Sequence, residues 1–513
     1  MEGNLIHTKS IPKSAISAQK FNRIALFTFI VYFITAFSGW FNFLFAFFSK
    51  RSYFPLRSYL ITFGNNEIVN NIGWNILNLA GYKTTILSKI PYKLIDDIFF
   101  TSICLLLIIL FVKGYKLIES NQALQPDVIR WALIFSTLMA FSIPSHSSDL
   151  YGYIARGAQQ TLFNHNPYIT PISNIEGYSS YPLFLNFMWP HQPTTYGPIF
   201  ILLCKSILLL SNNNFLLSFF NFKILNLVLY LLVILFVLKS TDTKNLYLIA
   251  WNPLLLFQGL WNCHNDLISG VLIFFSFYFL NNENHKNRHF WSLFYLTIAA
   301  GIKYVSALII PFVILYIIRK EKNKLTLLNS ITGIICGVIL ILIFSVDYLF
   351  SGSHISAHGI SQILSNIGLV HKSLIATLYT LLKYTFTALH LDFPSDLAII
   401  SLKGVVYSLF IIFYLYRLFK CNQNLVLNVG LMLFVFFGFT LAKFHSWYLL
   451  NLVVLIPFPL LNDDLRKIII ALSLTHVFAI TFLDQAKILN FTFMTLLPVL
   501  YLWFTRAKKS TTL

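Results

Sequence analysis

The sequence predicts an all-α polytopic membrane protein, one integral domain over residues 1–513, on three observations. Of its residues 57% are hydrophobic and 11% charged, and the mean hydropathy is +0.71, outside the range of soluble domains. Apolar runs recur from residue 24 to residue 504. Roughly 20 apolar residues cross a bilayer, so these runs divide into about 11–14 spans. Lys and Arg sit in short clusters between the runs, as they do in cytoplasmic loops. That dispersal also excludes nucleic acid as the partner of a net charge of +19, because a nucleic-acid site gathers its cations on one face.

The N-terminus carries Lys9, Lys13, Lys20 and Arg23 ahead of a long apolar run at 24–48. It has no small-residue cleavage site, so the run reads as a retained first span. Further basic clusters are Lys113/Lys116, Lys239/Lys244, Lys286/Arg288, RKEKNK (319–324), Arg417/Lys420, Arg466/Lys467 and the tail RAKK (506–509). Placing both termini and all these clusters inside makes each intervening segment cross an even number of times. Segment 245–280 becomes two passes turning at WNCHND (261–266), 290–318 two passes turning near Gly301, and 424–461 two passes turning at KFHSW (443–447). The run at 199–211 is too short for a full crossing beside the long run at 215–238, and reads as a partly inserted or interfacial helix. The loops 49–97, 145–198 and 347–396 fall outside, and 374–390 reads as an amphipathic helix on the surface. Five cysteines form no CxxC pair and read as small packing residues.

The polar turns of unusual composition all fall on the outer side, although only Lys and Arg set the sides. In SHSSDLYGYIARGAQQTLFNHNPY (145–168), a helix over 149–162 places Asp149, Tyr153, Arg156 and Gln160 on one face. The plain reading is that Asp149 caps the helix and Arg156 snorkels. The chemical reading is an acid and a cation for a sugar hydroxyl and an anionic lipid headgroup. In WPHQPTTYGPIF (189–200), the prolines forbid regular structure until a helix starts after Gly197. WNPLLLFQGLWNCHNDLISG (251–270) places His264, Asn265 and Asp266 in an apolar hairpin. Polar groups are costly in a membrane and mark function unless they cap a turn. Lys303 sits in AAGIKYVSALIIP (299–311) with no acid beside it in sequence, so it either snorkels or meets an anion. In KFHSWYLL (443–450), Trp447 and Tyr448 read most simply as an aromatic belt, which leaves His445 as the surplus polar group.

The pattern D-x-x-x-Y-x-x-x-G, NPY, W and YGP resembles the actinobacterial polyprenol-phosphate-mannose-dependent α-(1→6)-mannosyltransferases, within the GT-C class of membrane glycosyltransferases. The matching residues are Asp149, Tyr153 and Gly157; Asn166, Pro167 and Tyr168; Trp189; and Tyr196, Gly197 and Pro198. A later NP (Asn252, Pro253) and HND (His264, Asn265, Asp266) follow in order. The resemblance covers about 145–310 in detail, with only the alternation of apolar runs continuing beyond. It implies a GT-C-type bundle with outer-face loops and interfacial helices, 145–198 being the catalytic outer loop and 347–396 a second large one. It implies transfer of a hexose, mannose by the family's name, from a polyprenyl-phosphate donor to a glycan or lipid acceptor on the outer face of a bacterial cytoplasmic membrane. Asp149 would be the base of a direct inverting displacement. Arg156, Tyr153, Tyr196, His264, Asn265, Asp266, Lys303 and His445 would bind the donor phosphate or substrate. A single Asp in place of a DxD pair gives a divalent metal no support, and no cofactor is expected. A flippase of lipid-linked saccharides would show internal repeats with matching broken helices, which the sequence lacks. A ligase or polymerase of such saccharides would use the His-bearing loop 351–373.

Overall fold

The computed structural model describes residues 13–48, 92–120, 122–144, 147–184, 187–321, 324–350, 370–421, 424–480 and 490–501. Most of the loop 49–97, residues 351–369 and the basic tail lie outside that range, as do Ser145 and His146. Among the described residues the chain is helical and has no strand, which bears out the all-α class.

The helices follow the apolar runs. They are α1 (Lys13–Phe48), α2 (Tyr92–Ser120), α3 (Gln125–Ala140), α4 (Asp149–Thr161), α5 (Pro198–Leu210), α6 (Phe215–Ser240) and α7 (Thr243–Ala250). A π-helical segment (Leu255–Trp261) precedes α8 (Asp266–Asn281), α9 (Arg288–Ile302), α10 (Ile310–Lys320) and α11 (Lys324–Phe350). Then come α12 (Leu374–Ala388), α13 (Ser395–Phe419), α14 (Leu425–Val435) and α15 (Asp463–Thr475).

Five described helices are long and apolar enough to cross a membrane: 16–38, 98–120, 215–240, 324–343 and 395–419. The π segment with α8 makes a sixth if that pair, bent by 115°, is one span. The chain is thus a multi-pass membrane protein. The expected 11–14 crossings counted every apolar run, whereas several runs are broken into shorter pieces. α9 stops at Ile302, a 3-10 turn follows, and α10 restarts at Ile310. α14 ends in a π turn at 436–440 ahead of the KFHSW loop. The three expected turns thus fall where the sequence placed them. The 199–211 run is the 13-residue helix α5, and 374–388 forms a helix, with much of it exposed.

Burial follows from lipid exposure. α13 leaves Leu397, Ile400, Leu409 and Ile412 over 60% exposed, as suits a helix whose outer face meets acyl chains. One large apolar core joins α1–α3, the central part of α6, α7–α10 and α14–α15. A second, smaller core holds α4, α5, the start of α6 and the 172–184 loop. Trp261 and Leu267 belong to the first core, Cys263 and Ile268 to the second. The HND turn therefore lies at the seam between them.

Candidate functional site

The seam is built by a broken helix. Asn252 opens the π segment: its Oδ1 accepts from the backbone N–H of Leu254 and Leu255 at 3.1 and 3.3 Å, and its amide donates to Ser473 at 2.9 Å. π turns concentrate at functional positions because they leave carbonyls out of register. Here Lys223 of α6, fully buried, donates to the carbonyls of Leu260 and Trp261 at 2.7 and 2.6 Å. Asn226 donates to the Gly259 carbonyl at 2.9 Å. Cys263 then takes φ 58°, a left-handed conformation that costs a residue with a Cβ. This reversal starts α8 one helical turn later and sets His264, Asn265 and Asp266 on the seam.

Asp149 stands opposite. It begins α4, but no side chain caps that helix; its backbone N–H donates to Ser147 Oγ at 3.2 Å. Its carboxylate is instead paired with His264, Nδ1 to Oδ2 at 3.1 Å. The reading of Asp149 as a plain cap therefore gives way to a contact across 115 residues of sequence. The imidazole is wholly buried while the carboxylate is 22% exposed. A carboxylate only accepts, so Nδ1–H is the donor of this contact.

The imidazole of His264 is held flat by Trp447, ring centroids 3.9 Å apart and planes 13° apart. His445 stacks on the other face of the indole at 4.2 Å and 11°. Trp447 is thus a spacer between two imidazoles; the aromatic-belt reading is corrected, because both indole faces are covered. Burial, with Lys443, Lys372, His371 and His264 around it, pushes the His445 imidazole well below its ordinary value.

The rest of HND is held just as closely. Tyr153 donates to Asn265 Oδ1 at 3.3 Å and accepts from its backbone N–H at 3.2 Å. Burial, with Tyr196 and Asp149 nearby, pushes the Tyr153 phenol well above its ordinary value, so it stays a neutral donor. Tyr196 packs edge-on against Tyr153 at 5.5 Å. Lys303 reaches Asp266 Oδ1 at 2.5 Å, and Asn451 donates to the same oxygen at 3.0 Å. Lys303 also lies 4.0 Å from the ring centroid of Tyr448. It finds a carboxylate distant in sequence, which is why no acid beside it could be read. The YGP turn fixes this corner. Gly197 N–H donates to the Ile302 carbonyl at 3.1 Å, and Tyr168 of NPY donates to the Tyr196 carbonyl at 2.9 Å. A Cβ on Gly197 would stand 2.2 Å from the Gly301 oxygen.

These contacts bring together Asp149, Tyr153, Tyr196, His264, Asn265, Asp266, Lys303 and His445. Arg156 turns to its own loop instead. It is buried and donates to Gln159 Oε1 at 2.9 Å and to the Gln192 carbonyl, with its guanidinium 5.1 Å from the Phe187 ring centroid. It braces the 145–198 loop from within. Among the described residues, no three His, Cys, Asp or Glu side chains gather as a metal site would. The site does keep buried polar atoms without hydrogen-bond partners: His264 Nε2, Asn265 Nδ2, Asp266 Oδ2, Asn451 Oδ1 and Asn262 Oδ1. Such groups are rare in interiors, and donors and acceptors crowded together match a ligand rich in hydroxyls. Lys223, Asn226 and Asn451 were missed from sequence, although Lys223 inside an apolar run was a signal of the kind that marked Lys303.

Residues 79–319 match the family model described as alpha-(1→6)-mannopyranosyltransferase, N-terminal domain. That match, over somewhat less than half of the chain, supports a mannosyltransferase of the GT-C type. It covers Asp149, HND and Lys303, whereas His445, Trp447 and Asn451 lie beyond it. It supports glycosyltransferase activity, which entails a sugar donor and an acceptor beside the bilayer. No curated protein and no solved structure matches the chain.

Proposed function

We propose that the protein transfers a hexose, mannose by its family, from a polyprenyl phosphate to a glycan or lipid acceptor at the outer face of a cytoplasmic membrane, with both termini inside. Asp149 is the base. The acceptor O–H gives its proton to the carboxylate as its oxygen attacks the anomeric carbon. The bond from that carbon to the phosphate oxygen breaks, and its electron pair leaves with polyprenyl phosphate. In-line attack inverts the anomeric centre. His264 positions the carboxylate through Nδ1–H, and Trp447 fixes the imidazole plane. A placed base contributes about 10²–10⁴-fold. Asn265, Asp266 and Asn451, with their unmatched polar atoms, face sugar hydroxyls, and Lys303 holds the Asp266 carboxyl group in place.

The observation that carries this reading is the partly exposed Asp149 carboxylate on a buried, stacked His264. The test uses the purified protein in nanodiscs with a panel of radiolabelled polyprenyl-phosphate sugars and crude acceptor glycans and lipids. Label should move to one acceptor class, with the product's anomeric configuration opposite to the donor's. Retention of configuration would refute direct displacement. Lipid-linked sugar crossing a vesicle bilayer, with no transfer, would replace the reading by a flippase.

A further inference from the structure

Lys223 is a buried charge that takes no part in the chemistry. It lies on α6 inside an apolar run, with 1% of its surface exposed, and a charge in such a place is costly unless it is paired. Among the described residues its ammonium meets no carboxylate. Its partners are the backbone carbonyls of Trp261 at 2.6 Å, Leu260 at 2.7 Å and Met139 at 3.4 Å, which match in number the three N–H groups of an ammonium. The three carbonyls belong to two helix ends. Leu260 and Trp261 close the π segment, and Met139 is the last residue but one of α3. Carbonyls at a helix C-terminus lack intrahelical donors and carry the negative end of the macrodipole. Two such ends converge on one cation. Asn226, three residues further along α6, donates to the Gly259 carbonyl at 2.9 Å and to the His264 carbonyl at 3.5 Å.

Each helix end leads to one half of the Asp149–His264 pair. Beyond Met139 the sequence passes through Ile143 to Asp149 at the start of α4. Beyond Trp261 the chain reverses at Cys263 and reaches His264. The same two segments are tied a second time, where Trp261 Nε1 donates to the Ile143 carbonyl at 2.7 Å. The Met139 carbonyl also accepts from Ser142 Oγ at 2.7 Å, as the chain leaves α3. Without the ammonium, two negative helix ends would face one another in a dry site with their carbonyls unpaired. An apolar side chain of the same length would fill the volume and hold neither end.

We propose that Lys223 is a positioning residue for the Asp149–His264 pair: its ammonium draws the C-terminal ends of α3 and of the π segment together and so sets the imidazole against the carboxylate. The proposal rests on the transferase reading for what the pair does, whereas the tie between the helix ends does not depend on turnover.

The test reads the pair itself. Wild type, Lys223→Met and Lys223→Gln are prepared in nanodiscs with isotope-labelled histidine, and the Nδ1–H signal of His264 is followed by NMR, assigned by its loss in His264→Gln. His476, whose Nδ1–H donates to the Leu472 carbonyl at 2.9 Å, is the internal control. In Lys223→Met the His264 signal should shift or vanish while the His476 signal stays. Transfer should fall about 100-fold in kcat, as displacement of a reacting group does, with donor KM unchanged. Lys223→Gln, whose amide still offers two N–H groups, should recover part of both losses. An unchanged His264 signal in Lys223→Met would overturn the proposal. So would equal disturbance of His264 and His476, which would make the lysine a support of the whole fold. If Lys223→Met does not fold, Lys223→Gln decides on the same two signals: a shift of His264 alone supports the proposal, and an unmoved His264 overturns it. A wild type whose His264 signal depends on Lys223 yet transfers no sugar would sink the transferase reading alone.

Discussion

Replacing Lys303 by Met should cost far more stability than replacing its partner, because the two ends of the pair differ in burial. Asp266 is 0% exposed and Lys303 21%. Its Oδ1 accepts from Lys303 at 2.5 Å and from Asn451 at 3.0 Å, and its Oδ2 has no partner. Lys303→Met leaves a carboxylate in a dry site with one amide donor, and breaking a buried pair in this way costs about 3–5 kcal/mol. Asp266→Asn leaves an ammonium that reaches water and still lies over Tyr448, 4.0 Å from its centroid, so about 1–2 kcal/mol is expected from the lost charged hydrogen bond. The double variant removes both charges and should recover about 2–3 kcal/mol relative to the sum, well beyond the ~0.3–0.5 kcal/mol scatter of independent sites. Reversible denaturant unfolding in mixed micelles measures all four corners of the cycle. Additive costs, or a larger loss for Asp266→Asn than for Lys303→Met, would refute the buried ion pair.

Three further outcomes follow from the same geometry. Gly197→Ala places a methyl 2.2 Å from the Gly301 oxygen, and since both partners are backbone, a loss of at least about 1–3 kcal/mol is expected; an unchanged melting curve would mean that the YGP turn packs differently. His264→Ala removes the group that orients Asp149 and should lower kcat about 10–100-fold, less than loss of the base itself would, with little change in donor KM; a change in KM alone would move His264 from positioning to binding. His445 is held neutral in the folded protein, its imidazole pushed down by burial and the neighbouring lysines. The unfolded chain takes up that proton first, near about pH 6.5, so stability is full above that value and falls as the pH drops through it. His445→Gln should flatten this acid-side loss, and a pH profile identical to wild type would exclude the effect.

The sequence was most informative where physics is local. The start of α4 at Asp149 and the breaks at Gly301, WNCHND and KFHSW followed from periodicity, Pro and Gly placement, and the cost of polar groups in lipid. The partners were not legible. Asp149 meets His264 across 115 positions and Lys303 meets Asp266 across 37, and nothing local encodes such pairings. Trp447 was read by its type, as an interface aromatic, although its position between His445 and the HND turn decides its role. Lys223 was hidden by the strength of the apolar run around it. Arg156 shared a face with Asp149, yet α4 also packs against its own loop, and the guanidinium was drawn there. The number of crossings cannot be read from run length where short apolar helices and broken turns take part in a buried site.

The most direct measurement is single-turnover transfer from the donor identified in the panel, comparing wild type with Asp149→Asn at equal folding and equal affinity for polyprenyl phosphate. The isosteric amide keeps the contact with His264 but takes up no proton, so transfer should fall about 10²–10⁴-fold with donor binding unchanged. Transfer at the wild-type rate would show that Asp149 is not the base and that its pairing with His264 is structural.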